Sequence, residues 1–400
     1  MLSNTTFQFG EELTTALLGL DALYAAEQGK EARTTSSDIE RLVVLNMSTT
    51  HEPDAFASYA DARDCFVGLK SKSQTLPELD RRVYYGATCS SAINFATWRE
   101  SGLDFSHQIS EFLHVPAKPA SDEELASLKS QMRAYLNELG YSGDLRAQCA
   151  TWEARQRVEP DDVESVLNDM LSDAWDLTSQ LLEIPAPKSD AMKVEIVRDV
   201  PYNAMCDFAN RLIRLNVDPT LTRPGLRHLA VHEGYPGHYV QFRRREIGYA
   251  HGKSTADGLL SVVNTASSTT FEGIADMGME MIGWYESLDD KLSAVMTRYR
   301  SGIGTRAAWA LHAEKLDPSI VREQLLNDAL VGGEGWVDGR MRFISAHDRA
   351  ALIWSYWRGA PSVNAAWRHV AADSSLLPAY VEWIYDRMHS PSSIAMFNAS

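Results

Sequence analysis

The sequence predicts a mainly α-helical protein with one small β-sheet next to a histidine-bearing helix. Two observations carry this. Long stretches place apolar residues at helical spacing between recognisable start and stop signals. One short segment, KVEIVRDV, instead alternates apolar and polar residues as a strand does.

The elements follow in chain order. MLSNTTFQFGEELTTALLGL has no basic leader before its apolar residues and no small-residue cleavage site, so it reads poorly as a signal peptide. SDEELASLKSQMRAYLNELG opens with a capping box, Ser121 with Glu124, and closes on Gly140. EPDDVESVLNDMLSDAWDLTSQLLE puts Val163, Val166, Leu167, Met170, Leu171, Ala174, Leu177 and Leu181 on one helical stripe. Asp161 and Asp162 stand in its first turn, where the helix dipole favours anions. The prolines of IPAPKSDAM end that helix and place a soft boundary near residue 185, between a helical part (1–184) and a metal-site-bearing part (185–400) of one lobed fold. LDDKLSAVMTRYRSGIGTRAAWALHAEKL is helical, and DPSIVREQLLNDALV starts a further helix on an Asp-Pro cap.

Composition bounds the function. Four hundred residues with 44% apolar content bury a large core. A formal charge of −16 argues against a nucleic-acid or anionic-membrane binder. Cys65, Cys89, Cys149 and Cys206 are scattered without a CxxC pair, which rules out a cysteine-rich zinc site and suits reduced thiols in a cytoplasmic protein. No apolar run approaches the ~20 residues a membrane helix needs. Oligomeric state is not legible.

The chemistry gathers in RHLAVHEGYPGHYVQF, Arg227 to Phe242. His232-Glu233 has the look of a zinc-peptidase helix, but position 236, where a second histidine belongs, is proline. The next histidine is His238, six residues on. At about 100° per residue, six residues land a third of a turn away, so an ideal helix cannot aim both rings at one ion. A two-residue bulge at Pro236-Gly237 would restore the phase, since proline removes a donor and glycine permits unusual dihedrals. Glu272, in TTFEGIADMGMEM, is the best source of a third ligand, and Asp276 one turn later suits a hydrogen bond to a liganding imidazole. Glu233 then points past its neighbour as general base. His228, four residues before His232, offers a simpler ligand pair that leaves Pro-Gly-His unexplained.

These residues resemble a known family. HEGYPGHYVQ is similar to the HExxPGHxxQ signature of the gluzincin-like proteins filed as domain of unknown function 885 and regarded as zinc-dependent metallopeptidases. FEGIADMGME resembles that family's EGWALYAE segment and the zinc-binding glutamate segment of angiotensin-converting enzyme. KVEIVRDVP, RLIRLNVDPTLTRPGLRHLAVHE, AAWALHAEKLDPSIVREQL and SYWRGAPSV resemble further family blocks, so the likeness spans roughly residues 160 to 395. It implies a zincin-like fold, His232, His238 and Glu272 as ligands of Zn2+, and Glu233 as base. It also implies His312 or Tyr356 as donor to a developing oxyanion. A packed histidine, and a core tyrosine between Trp354 and Trp357, are the structural alternatives.

Departures accompany the likeness. RAALIWSY lacks the family's Pro-Gly-Gln, Ala308 stands where an aspartate is expected, and FEGIADMGME has lost the Trp and Tyr. Arg358 stands at a usually apolar place, where it would clamp a substrate carboxylate or serve as an ordinary ion-pair residue. GGEGWVDGR, Gly332 to Arg340, follows no strand and reads as a turn or loop. The expectation is a zinc hydrolase of an amide in a short peptide or peptide-like small molecule, binding neither nucleic acid nor membrane. The alternatives are lyase, cyclisation or non-peptide hydrolysis chemistry in small-molecule biosynthesis at the same site, or a binding protein without catalysis.

Overall fold

Several helices start on a side-chain cap. In the computed structural model, which describes residues 2–29, 41–182 and 191–397, Ser3, Ser58, Asp104, Ser121, Asp144 and Asp317 each accept a backbone N–H of the first turn that follows. The Ser121–Glu124 capping box forms on both sides. The protein is mainly α with small sheets. Two compact units emerge, each from separate stretches of chain: residues 1–117, 240–274 and 358–400 in one, 118–239 and 275–357 in the other. The division passes through the helices His238–Ala250, Ala266–Asp276 and Ile353–Ala372. The expected boundary near residue 185 lies outside the described residues.

The first unit is built on Asn4–Glu27 and the paired helices Tyr59–Ser73 and Leu79–Ser101. Phe9, Leu13, Leu17, Tyr85 and Phe95 are buried between such elements, supplying the apolar area that holds them together. Strand β1 (Val43–Asn46) is tied to the first helix by Val43 N donating to Asp21 Oδ1 at 2.9 Å.

In the second unit the stripe on Val163–Leu182 buries Val163, Leu167, Met170, Leu171 and Ala174 as expected, leaves Val166, Leu177 and Leu181 half-buried, and gains buried Trp175, Thr178 and Leu182. The alternating segment forms β2 (Lys193–Val197), followed by β3 (Ala204–Asp207) and β4 (Leu212–Asn216). Their order is β2-β4-β3, with β2 parallel and β3 antiparallel to β4. This is the expected small sheet, and β3 packs on the segment that carries His232. A second ladder, absent from the sequence reading, pairs β1 with β5 (Leu260–Val262) in the first unit. The long helix Leu288–His312 packs on Asp122–Glu138, Pro318–Asp328 and Gly333–Ser345. That last helix corrects the loop expected at GGEGWVDGR: Gly332 and Gly333 turn at φ 91° and 60°, and from there the chain is helical. Among the described residues no helix is long and apolar enough to cross a membrane.

Candidate metal centre

The approach to the histidines is a short helix, Arg223–Leu229, capped by Thr222 and started by Pro224. Arg227 anchors it through Asp290 and Glu286, both at 2.6 Å. The winding then widens into a π turn, Ala230–Gly234, where Tyr235 N donates to Ala230 O at 3.1 Å. Next, Gly237 N reaches Val231 O at 2.9 Å, six residues back where an α-helix takes four. Two residues are thus inserted, as the spacing requires, but not as a bulge within one helix. Tyr235 is extended (φ −127°, ψ 116°), the Tyr235–Pro236 bond is cis, and a new helix begins at His238. The expected bulge at Pro236-Gly237 is therefore corrected to a break: proline cannot continue the ladder, and the two histidines stand on different elements.

Packing holds the break in place. A β-carbon on Gly237 would lie 1.9 Å from the His232 carbonyl oxygen, so only glycine lets the backbones approach. Gly278 likewise gives way to Val231 and Pro236. Tyr235 meets Trp175 edge-on at 5.0 Å and Tyr239 at 5.3 Å, and its hydroxyl accepts Met192 N at 2.8 Å. Sequence reasoning passed over Tyr235. Its signal was an aromatic residue beside a proline in an otherwise polar motif.

The rings of His232 and His238 converge, 4.7 Å between centroids at 78°. Both residues and Glu233 are buried. His232 Nδ1 lies 3.0 Å from Asp276 Oδ1, the hydrogen bond the sequence anticipated; donation there leaves Nε2 with its lone pair. Glu272, one turn before Asp276 on Ala266–Asp276, offers a carboxylate oxygen to a group with His232 and His238 whose ligand atoms all lie within 4.8 Å of one another. His228, His232 and Asp276 form a second such group. His228 Nε2 is 3.7 Å from Asp276 Oδ1, and burial, ahead of the opposing Asp276 charge, pushes its imidazole down to about 4. The Cys206 thiol on β3 is pushed up by burial first and then by the Glu233 charge.

The two oxyanion candidates differ. His312 is buried, with Nε2 2.5 Å from the Ile344 carbonyl and its ring 4.8 Å from that of His347. This is the packed, satisfied histidine of the structural alternative. Tyr356 is half-buried, its ring 6.4 Å from Phe343. Its neighbours Trp354 and Trp357 are core: Trp354 Nε1 donates to Lys118 O at 3.1 Å, and the Arg298 guanidinium sits 3.9 Å over Trp357. Arg358 is half-buried, and its carbonyl accepts Ser362 Oγ at 3.1 Å.

The donor set fits a transition-metal ion. Two neutral imidazoles and a carboxylate suit zinc, and their ligand atoms, all within 4.8 Å of one another, lie close enough together to be drawn onto one ion. The carboxylate behind His232 is the usual orienting partner of a liganding imidazole.

No family model matches the chain, and no curated protein does. Among solved structures it is similar to a candidate lipoprotein of Colwellia psychrerythraea, with a TM-score of 0.56 and 11% identity over 84% of this chain. It spans 65% of that protein's length. A candidate lipoprotein of unknown function from Shewanella oneidensis matches with a TM-score of 0.52 and 13% identity, over 84% of this chain and 70% of the other. At these identities the likeness is one of fold.

Proposed function

We propose that the protein is a zinc-dependent hydrolase of zincin-like fold, cleaving an amide bond in a short peptide or peptide-like small molecule. The supporting observation is the broken helix that turns His238 back to within 4.7 Å of His232, with Asp276 on the far nitrogen of His232. In this reading His232, His238 and Glu272 hold the ion. Asp276 fixes the tautomer and is not itself a ligand, because its oxygen stands at hydrogen-bond distance from Nδ1. Bound zinc supplies a Lewis acid and a water of lowered pKa at neutral pH.

The chain's own residues do the rest. Glu233, buried beside His232, takes a proton from the nucleophile and returns it to the leaving nitrogen. Of the two oxyanion donors the geometry favours Tyr356, since the His312 Nε2 faces a backbone carbonyl. Burial around the histidines excludes competing water and strengthens each of these polar contacts.

Metal analysis joined to one substitution tests the reading. Glu233→Gln is expected to retain one equivalent of transition metal while hydrolysis of a short peptide falls by about 10²–10⁴-fold. Protein purified without chelator and found metal-free, or a variant as active as the parent, would overturn it.

A further inference from the structure

His228 is a half-buried imidazole beside the candidate centre, yet among the described residues neither of its ring nitrogens makes a hydrogen bond. It lies in the last turn of Arg223–Leu229, four residues before His232, and the two ring centroids are 5.6 Å apart. Its Nε2 is 3.7 Å from Asp276 Oδ1. The same oxygen is 3.0 Å from His232 Nδ1. His228, His232 and Asp276 thus bring two nitrogens and one carboxylate oxygen within 4.8 Å of one another. All three belong to the second unit.

Those separations suit an ion. Ligand atoms bound at about 2.0–2.1 Å on a tetrahedron stand about 3.3 Å from one another. The observed 3.0 and 3.7 Å fall on either side of that value. A hydrogen-bond role accounts for His228 less well, because 3.7 Å is too long for one. Access is open too: the side chains of His228 and Asp276 are 18% and 20% exposed, against 8% for His232, so a hydrated ion reaches them from solvent. Affinity is limited by charge. The centre formed with His238 and Glu272 shares His232 with this group, and the charge of Arg300, on Leu288–His312, also reaches His228. Two cations on the two nitrogens of one ring repel, so one ion binds first and a second follows only in excess.

We propose that His228, Asp276 and Nδ1 of His232 form a second, weaker transition-metal site whose occupation slows the hydrolase. The site stands on this geometry alone; the slowing rests on the hydrolase reading and names a regulation of it. As the second ion arrives, the Nδ1–H bond of His232 breaks, its proton goes to solvent and the electron pair goes to the ion. Asp276 turns from hydrogen-bond acceptor to ligand. His232 then bridges two ions, and the carboxylate that fixed its ring for the first no longer does so. Loss of such a partner costs about 10–100-fold in metal affinity or activity, and excess metal is expected to inhibit by about as much. His228 and His238, rival partners of His232 by spacing, each complete a different site.

Zinc stoichiometry tests the site without turnover. Purified protein, its metal content counted beforehand, is titrated with zinc by calorimetry and dialysed against excess zinc. Two equivalents are expected, the second bound at least about a hundredfold more weakly than the first. His228→Gln should abolish the weak equivalent and keep the tight one, whereas Glu272→Gln should weaken the tight one and keep the other. Should His228→Gln melt early, His228→Asn carries the same expectation. With a short peptide as substrate, hydrolysis by the parent should fall as the second equivalent binds, and the hydrolysis left in His228→Gln should not respond to excess zinc. Fewer than two equivalents in the parent, a weak equivalent that survives in both His228 variants, or loss of the tight one in both would each overturn the site. Two equivalents with hydrolysis unaffected by the second would overturn the regulation. Two equivalents in a protein that cleaves no amide would remove the hydrolase reading and leave the site; hydrolysis with a single equivalent would do the reverse.

Discussion

Arg81 and Arg340 are both arginines set against aromatic rings of helical packing, but Arg81 is buried and Arg340 half-buried, and their surroundings differ. Arg81 donates to Asp80 and to the Met388 carbonyl, each at 2.9 Å, and lies against the rings of Tyr84 and Tyr85. Asp80 also holds Arg387 at 3.1 Å, and Tyr85 donates to Asp257 at 3.0 Å. Arg81, Asp80 and Arg387 thus answer one another within the same unit. Around Arg340 the aromatic walls are present, but among the described residues no acid lies within 4.0 Å. A buried charge closed by its own chain stabilises one conformation, whereas a half-buried one is answered in part by water.

The comparison breaks most easily at Arg81. Arg81→Met is expected to lower unfolding stability by about 3 kcal/mol, read by urea denaturation, because Asp80 and the Met388 carbonyl lose a buried donor. A loss below about 1 kcal/mol would mean the network adds little. Gly237→Ala sharpens the other side. Its β-carbon would meet the carbonyl oxygens of His232 and Val231 at 1.9 and 2.4 Å, so stability should fall by about 1–3 kcal/mol and metal should be lost to a weaker chelator. Unchanged metal content would show that the break does not bring the rings together.

The smallest effect is a change of slope. His389 is held by the Trp383 carbonyl at 2.7 Å and by Ser393 at 3.1 Å. Burial first, then the charges of Arg81, Arg387 and Arg245, push it well below the usual histidine range against the pull of that carbonyl. It is neutral when folded, whereas the unfolded chain takes up a proton near pH ~6.5. Its contribution to stability is therefore full above about pH 6.5 and declines as pH falls from there towards the folded value. In His389→Asn the loss of stability between about pH 7 and about pH 5 should be shallower; an unchanged slope would remove His389 from the account.

Much of the fold was legible because it is local. Ser121 and Glu124 cap one another three residues apart, Asp317-Pro318 starts a helix, and the stripe from Val163 to Ala174 is a periodicity any window detects. The Asp276 contact to His232 was legible for the same kind of reason, one helical turn beyond a carboxylate already suspected. The winding between the histidines was legible only as a requirement. Spacing demanded two extra residues, but whether they enter as a bulge or a break depends on Trp175, Leu171 and Gly278, which come from elsewhere in the chain. His312 turned on a carbonyl thirty-two residues away, and GGEGWVDGR hid a helix because its glycines outweighed the periodicity of Trp336 and Arg340.

By itself the sequence named the candidate metal ligands, which segments wind, and that the winding must fail between His232 and His238. Those are matters of side-chain type and of repeats a few residues long. Only the tertiary structure decided that the failure is a π turn with a restart, and that two arginines forty positions apart share one tryptophan with no acid among the described residues at ion-pair distance. The reason is that pairing a buried charge, or leaving it open, is a property of what surrounds it, and the surroundings are assembled from distant parts of the chain.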